Sequence, residues 1–242
     1  DHLWGKGTYA ANDWIYGKWG KGVGVLNIGQ GGENLHRHAV VRSMEGRAGG
    51  RPGIGAVMGS KLRNGVVVDG PTPTPQPAPV LKGPLRQGDR REVGEIDKQS
   101  GWSIQSTTGV LPFCNEVAGL PVRNFRKTHH PDAWKVDGER LNNARIATYG
   151  CPTCTMRCGI TIHDHEGRES ELDYENIALL GPNLEIFDLP QVGSLNYLCD
   201  DYGLDTMSMG CTLGFYADAI DHGATDGDFR FGDAERAKEL MR

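Results

Sequence analysis

The chain of 242 residues is first described by what it lacks. No apolar run approaches the ~20 residues that a membrane-crossing helix needs. The opening Asp1-His2-Leu3-Trp4-Gly5 has neither the basic segment nor the apolar stretch of a secretory signal peptide. A cytoplasmic protein with no membrane span is therefore expected. The chain also opens without methionine, which suggests a processed chain or a fragment. Basic charge is not in surplus: 26 Lys and Arg stand against 31 Asp and Glu, for a net charge of −5. That balance argues against a nucleic-acid partner held by phosphate neutralisation. The six cysteines do not form the spaced framework of a disulfide-rich secreted domain, because three of them fall within eight residues. Mean hydropathy is −0.46, as in a soluble chain.

Glycine is in excess, with 35 residues, about twice the usual share. The glycines cluster where backbone must turn with positive φ or approach something closely. One cluster, Gly46-Arg47-Ala48-Gly49-Gly50-Arg51, runs through Gly53 and Gly55 into Gly59-Ser60-Lys61. A glycine- and arginine-rich loop leading into a short apolar helix suits an anion, because it offers free amides and two guanidiniums. A glycine-packed helix–strand turn would look the same. No Gly-Lys-Ser/Thr follows at Walker A spacing.

The densest chemical signal is Cys151-Pro152-Thr153-Cys154-Thr155-Met156-Arg157-Cys158, a C-x2-C-x3-C loop. Three thiolates at that spacing can meet one metal centre, but a structural zinc or a four-iron cluster needs four ligands. His163 or His165 would complete a zinc site. Cys114, Cys199 and Cys211 are the remote candidates for a cluster, although Cys199 and Cys211 read as small hydrophobes on helix faces. His129-His130 is a weaker metal candidate: adjacent side chains on extended backbone point apart, so a solvated loop is expected.

Local patterns predict a helix over Thr8 to Trp19, capped by Thr8 or Asn12, and a buried strand over Val23 to Ile28. A polar glycine turn is expected over Gly29 to Asn34, and strands at His38 to Met44 and Val66 to Val68. Five prolines between Gly70 and Pro79 mark an extended connector. Beyond it, a charged helix is expected over Leu85 to Gln99, an extended piece over Asn115 to Phe125, and a helix over Asp137 to Ala147. Gly159 to His163 reads as a strand, followed by helices at Tyr174 to Gly181, Leu189 to Tyr202, Asp205 to about Asp221, and Asp233 to Met241.

Taken together and in order, several stretches resemble the tungsten-dependent aldehyde:ferredoxin oxidoreductase family. They are Gly31-Gly32-Glu33-Asn34-Leu35, the Gly46–Lys61 loop and helix, Leu120-Pro121-Val122-Arg123-Asn124-Phe125, and the cysteine loop. Tyr174-Glu175 with Leu180-Gly181-Pro182-Asn183, and Tyr202-Gly203-Leu204-Asp205-Thr206, complete the set. Residues 71–105 match least.

The resemblance implies an α+β fold: the end of a β-rich pterin-cradling domain (1–70), then a Pro-rich connector and charged segment (71–105), then a mostly helical domain with the cysteine loop (106–242). It implies a central fragment of a longer protein, incomplete for activity alone. The implied cofactors are tungsten or molybdenum held by two pterins, a magnesium bridging the pterin phosphates, and a 4Fe-4S cluster. By the same resemblance, Arg47, Ala48 and Gly49 serve the phosphate side, with the Ala48 carbonyl helping to bind magnesium. Asp200, Leu204 and Asp205 bind pterin, and Glu175 handles protons near the metal. Cys151, Cys154 and Cys158 hold the cluster, whose fourth cysteine is expected beyond this chain. The implied reaction oxidises a small aldehyde to a carboxylic acid, with electrons passing to ferredoxin or another electron-transfer protein. Relatives acting on aryl-CoA or hydroxy acids leave the substrate open. A homo-oligomer or an electron-transfer subunit complex is open too. From the residues alone, two other readings stand: a zinc-stabilised non-catalytic interaction domain, and a cluster-only electron-transfer module.

Overall fold

The computed structural model describes residues 2–43, 47–51, 53–70, 95, 101–151, 154 and 156–242. The proline connector over 71–79 and the helix expected over 85–99 lie outside them, Glu95 apart. The first part is a helix on an antiparallel sheet. Helix α1 (Thr8–Trp19) has the expected span. Its ends are made differently: Gly7 precedes it without a side-chain cap, while Thr8 and Asn12 point inward. Asn12 Oδ1 accepts from Asn27 Nδ2 at 3.0 Å.

The sheet runs β3-β2-β1-β4, from β1 (Gly24–Asn27), β2 (Val41–Ser43), β3 (Arg47–Gly49) and β4 (Gly65–Val68). Strand β1 was expected to be buried throughout. Instead it alternates, Val25 and Asn27 inward and Gly24 and Leu26 outward, as in a sheet with one wet face. Strand β3 lies where an irregular glycine–arginine loop was expected; pairing of Arg42 with Ala48 recruits it to the sheet. The predicted glycine turn is a one-turn helix, α2 (Gln30–Glu33). It packs on α3 (Ile54–Ser60), and a Cβ on Gly59 would overlap the Gly32 carbonyl oxygen. Glycine is required at that crossing because backbone meets backbone.

The second part opens with α4 (Gly101–Gln105), α5 (Leu111–Glu116) and α6 (Gly138–Asn143). A three-stranded antiparallel sheet follows, β5 (Ala147–Tyr149), β6 (Gly159–His163) and β7 (Glu169–Leu172). The helix expected over Asp137 to Ala147 stops at Asn143. The chain reaches the cysteine loop as a strand, because Thr148 and Tyr149 pair with Ile160 and Gly159. Four helices complete it: α7 (Tyr174–Leu180), α8 (Leu189–Tyr202), α9 (Thr206–Asp221) and α10 (Ala234–Met241). Asp173, Asp188, Asp205 and Asp233 each accept a backbone N–H at the start of one of them. Such a cap stabilises a helix by roughly 0.5–2 kcal/mol. Val192, Leu195 and Leu198 of α8 are buried against Leu172, Ile177 and Leu180, and this is the main core.

The piece expected to be extended over Asn115 to Phe125 holds the end of α5 and a left-handed turn. Arg123, Asn124 and Phe125 have φ of 49°, 52° and 61°, a costly run for residues bearing a Cβ. Two backbone bonds to Pro182 and Asn183 fix it, and Arg123 pairs with Glu185 and Asp221 at 2.6 Å each.

The two parts meet at the turn between α8 and α9. Val40 N donates to Gly203 O at 2.8 Å, and Asp205 N donates to His38 O at 2.9 Å. Gly203 closes α8 with φ 67°, and a Cβ there would stand 2.7 Å from Gly29 N.

Candidate functional site

This junction encloses a cavity of about 360 Å³. Its walls are β2–β3, the β7–α7 junction and the α8–α9 turn. Arg47, Ala48 and Gly49 face it from β3, Asp200 from the last turn of α8, and Leu204 and Asp205 from the turn that follows. Glu175 faces it from the first turn of α7. Seven residues named from three separated stretches of sequence thus share one cavity. Asp205 also caps α9, accepting from Ser208 N at 2.8 Å, so the capping and cavity roles coexist.

The cavity's charges are of two kinds. Asp200 is buried and ion-paired to buried Arg42. Asn196 Nδ2 and the Tyr9 hydroxyl donate to its Oδ2 at 3.2 and 3.4 Å. Burial still raises the Asp200 pKa, with Arg42 opposing. The other kind lacks partners. Arg42 Nε and Arg47 Nε and Nη2 are buried without a hydrogen-bond acceptor. Arg47 Nη2 does stand 3.0 Å from Glu171 Oε1, but neither atom makes a hydrogen bond, so this pair is electrostatic contact alone. Arg51 reaches Asp205 at 3.0 Å from a half-exposed position. Burial lifts Glu171 to about 7, with Arg47 only partly offsetting it. Burial and the neighbouring Glu175 lift Asp173 to about 6.

The cysteine loop joins β5 to β6 beside this cavity. Cys151 and Cys154 are exposed and Cys158 is half-buried. Among the described residues, no three His, Cys, Asp or Glu side chains are gathered as a metal site. Among the described residues, neither His163 nor His165, both exposed, joins the three thiols in such a group. Cys199 is fully buried in the main core, as its apolar surroundings suggested. His130, expected in a solvated loop, is half-buried and stacked on Phe187 at 4.2 Å. Arg47 links the two features. Its guanidinium lies 4.8 Å from the Tyr149 ring centre, and its charge lowers the Cys158 pKa against the larger upward push of burial.

Arg42, Glu171 and Asp173 escaped the sequence reading. Arg42 lay inside a predicted strand without an obvious partner. Glu171 and Asp173 carried one signal: Glu169, Glu171, Asp173 and Glu175 place a carboxylate at every second position running into a helix. A Cβ on Gly159 would overlap Glu171 Oε1, so that glycine makes room for the carboxylate.

A sheet-and-helix layer joined to a mainly helical part, with a charged cavity at the joint and a thiol loop beside it, defines an α+β protein. Comparison with known proteins makes this specific. The family model described as the N-terminal domain of aldehyde ferredoxin oxidoreductase matches residues 1–70, and that for its domains 2 and 3 matches residues 86–242. The chain belongs to this aldehyde ferredoxin oxidoreductase family. It is 32% identical to the tungsten-containing aldehyde ferredoxin oxidoreductase of Pyrococcus furiosus, over 96% of this chain and 39% of that protein. The Thermococcus kodakarensis protein of the same name is 32% identical over 97% of this chain and 40% of its own length. The aliphatic sulfonate oxidoreductase WOR-like subunit of Pyrococcus furiosus is 31% identical over 82% and 33%. The chain thus spans about two fifths of the length of the first two relatives. Among solved structures, the active-site complex BamBC of benzoyl coenzyme A reductase has the same fold. The TM-score is 0.69 at 22% identity, over 99% of this chain and 39% of that one.

Proposed function

We propose that this chain is part of a tungsten (or molybdenum) bis-pterin oxidoreductase. It oxidises a small aldehyde to a carboxylic acid and passes the electrons through a 4Fe-4S cluster to ferredoxin or a similar carrier. One observation carries the reading: the cavity gathers Arg47, Ala48, Gly49, Glu175, Asp200, Leu204 and Asp205. The donor set fits a pterin. Unpartnered buried nitrogens of Arg42 and Arg47 suit phosphate oxygens, and Asp200 and Asp205 can accept N–H bonds from a pterin ring. A Cβ on Gly49 would meet nothing within 4 Å, so backbone there is open to a close ligand. The Ala48 carbonyl is assigned to a magnesium between pterin phosphates. When bound, the metal–pterin group supplies the two-electron chemistry.

The chain's residues then hold and orient that group and place the Glu175 carboxyl to pass protons beside it. Cys151, Cys154 and Cys158 supply three of the four cluster thiolates, with the fourth from outside this chain. The cluster supplies single-electron transfer to the carrier. No helix among the described residues is long and apolar enough to cross a membrane, which accords with a cytoplasmic enzyme.

The test is metal, sulfide and pterin analysis of the full-length protein, followed by substrate-dependent reduction of a viologen dye. Tungsten or molybdenum with pterin, plus iron and sulfide, is expected, with aldehydes the fastest substrates. Aryl-CoA and hydroxy acids form the competing arms of the assay. One zinc and no iron would overturn the reading in favour of a non-catalytic domain; iron without pterin would leave an electron-transfer module.

A further inference from the structure

The alternating carboxylates of β7 and α7 touch two cavities. Glu171, Asp173 and Glu175 line the cofactor cavity. Glu169 and Glu171 line a second cavity of about 740 Å³ between α1 and the β5–β7 sheet. Between the two stands a wall. It contains the Arg42–Asp200 ion pair, with the Tyr9 ring 5.5 Å from the Arg42 guanidinium. Asp200 borders both cavities as well, but Arg42, Tyr9 and Asn196 occupy its carboxylate. Glu171 differs: its Oε1 is buried and accepts no hydrogen bond.

The charged groups acting on Glu171 are Arg47 of β3, Arg42 of β2, Asp173 from its own segment, and Asp200 of α8. The two arginines favour its ionised form; burial and the two aspartates favour its proton. Burial dominates and brings it to about 7, with Asp173 at about 6. Values raised towards neutrality suit both groups to taking up and releasing protons.

We propose that Asp173 and Glu171 form a proton path from the cofactor cavity to the second cavity, with Glu175 at its inner end. The path rests on the oxidoreductase reading. There, an aldehyde and one water give a carboxylate, three protons and two electrons. The electrons go to the one-electron carrier. A proton held at Glu175 passes to Asp173, then Glu171, then to water in the second cavity. Nothing along the path is oxidised, and each carboxyl returns to its starting state.

The test uses full-length, cofactor-loaded enzyme carrying Glu171→Gln, or Asp173→Asn, which keeps an acceptor for Asn176 N. Turnover is expected to fall on the order of a hundredfold. The solvent deuterium isotope effect should rise, and imidazole, a small buffer that can enter the second cavity, should restore much of the rate. Chemical reduction of the cluster should be unchanged. Infrared titration provides a readout independent of turnover: Glu171→Gln should remove a carboxyl band that titrates near neutrality. Glu169→Gln, an exposed residue bordering only the second cavity, should change none of these. Wild-type turnover in Glu171→Gln, or a loss without an isotope effect or imidazole rescue, would overturn the path alone. A wild-type enzyme lacking tungsten, molybdenum and pterin would overturn the functional reading and the path with it.

Discussion

The charged cavity and the cysteine loop lie side by side, and the fold treats them differently. The cavity is assembled by the chain itself. Backbone bonds from Val40 and Asp205 close the joint, and Arg42 and Asp200 are paired inside it. Among the loop's described residues, two sulfurs face solvent, Cys154 N donates to Cys151 O at 3.0 Å, Ser103 Oγ donates to Met156 O at 2.6 Å, and Arg157 makes a longer bond to Thr148 O at 3.4 Å. Arg157 itself holds φ of 50°. One site is thus organised before any ligand arrives. The other, on the proposed reading, would take its geometry from the cluster it binds, as metal sites coupled to folding do.

The comparison breaks most visibly at Arg42. Arg42→Ala leaves Asp200 buried without its cation, and removing one partner of a buried pair costs about 3–5 kcal/mol. Urea denaturation should show that loss. Arg51→Ala removes a pair made from a half-exposed side chain, and should change stability by less than about 1 kcal/mol. Equal effects for the two would mean that the joint is not what holds the cavity.

A second, smaller effect comes from pH. Glu171 rises from 4.5 to about 7, and Asp173 from 3.8 to about 6. Below their ordinary values, both groups are protonated whether the chain is folded or not. Between the ordinary and raised values, the folded chain binds more protons than the unfolded one, so stability falls as pH rises. The loss should reach the order of a few kcal/mol and level off above about pH 7. Glu166 acts oppositely. Burial would raise it, but hydrogen bonds from Lys238 and Ser194 outweigh that and hold it at about 2. Its contribution is lost as pH falls from 4.5 towards 2. Urea midpoints should therefore be higher near pH 5 than near pH 8, and Glu171→Gln should remove much of that difference. An unchanged slope in the variant would show that another group carries it.

The sequence made these regions legible to different degrees, for physical reasons. Helices α8 and α9 were visible almost to the residue, because 3.6-residue periodicity, Asp caps and Gly203 all agree locally. Strands β3 and β5 were missed. Each is three residues long, and pairing with distant residues rather than local pattern makes it a strand. In the cavity, Arg47, Asp200 and Asp205 came from the family resemblance, carried onto matching motifs. Glu171 and Arg42 acquire their chemistry from burial against one another's neighbours, which no local window shows. At the cysteine loop the reverse holds: the candidate ligands stand out by their spacing, and the described part of the fold adds little to them.

That last difference yields the smallest expected effect and the cleanest contrast. Cys154 is exposed, and among the described residues its sulfur joins no metal-binding group. Cys154→Ser removes no core packing and no paired charge. Substitutions away from such features usually change stability within about 0.5 kcal/mol. The urea midpoint of the metal-free chain should stay within that range. In the full-length protein, the same substitution removes one of the proposed cluster's thiolates, so its iron content should fall sharply while pterin content is largely kept. Arg42→Ala should do the opposite, unfolding the joint and losing pterin first. If Cys154→Ser destabilised the metal-free chain as much as Arg42→Ala does, the loop would be part of the folded framework, and the division between a preformed cavity and a ligand-completed loop would fail.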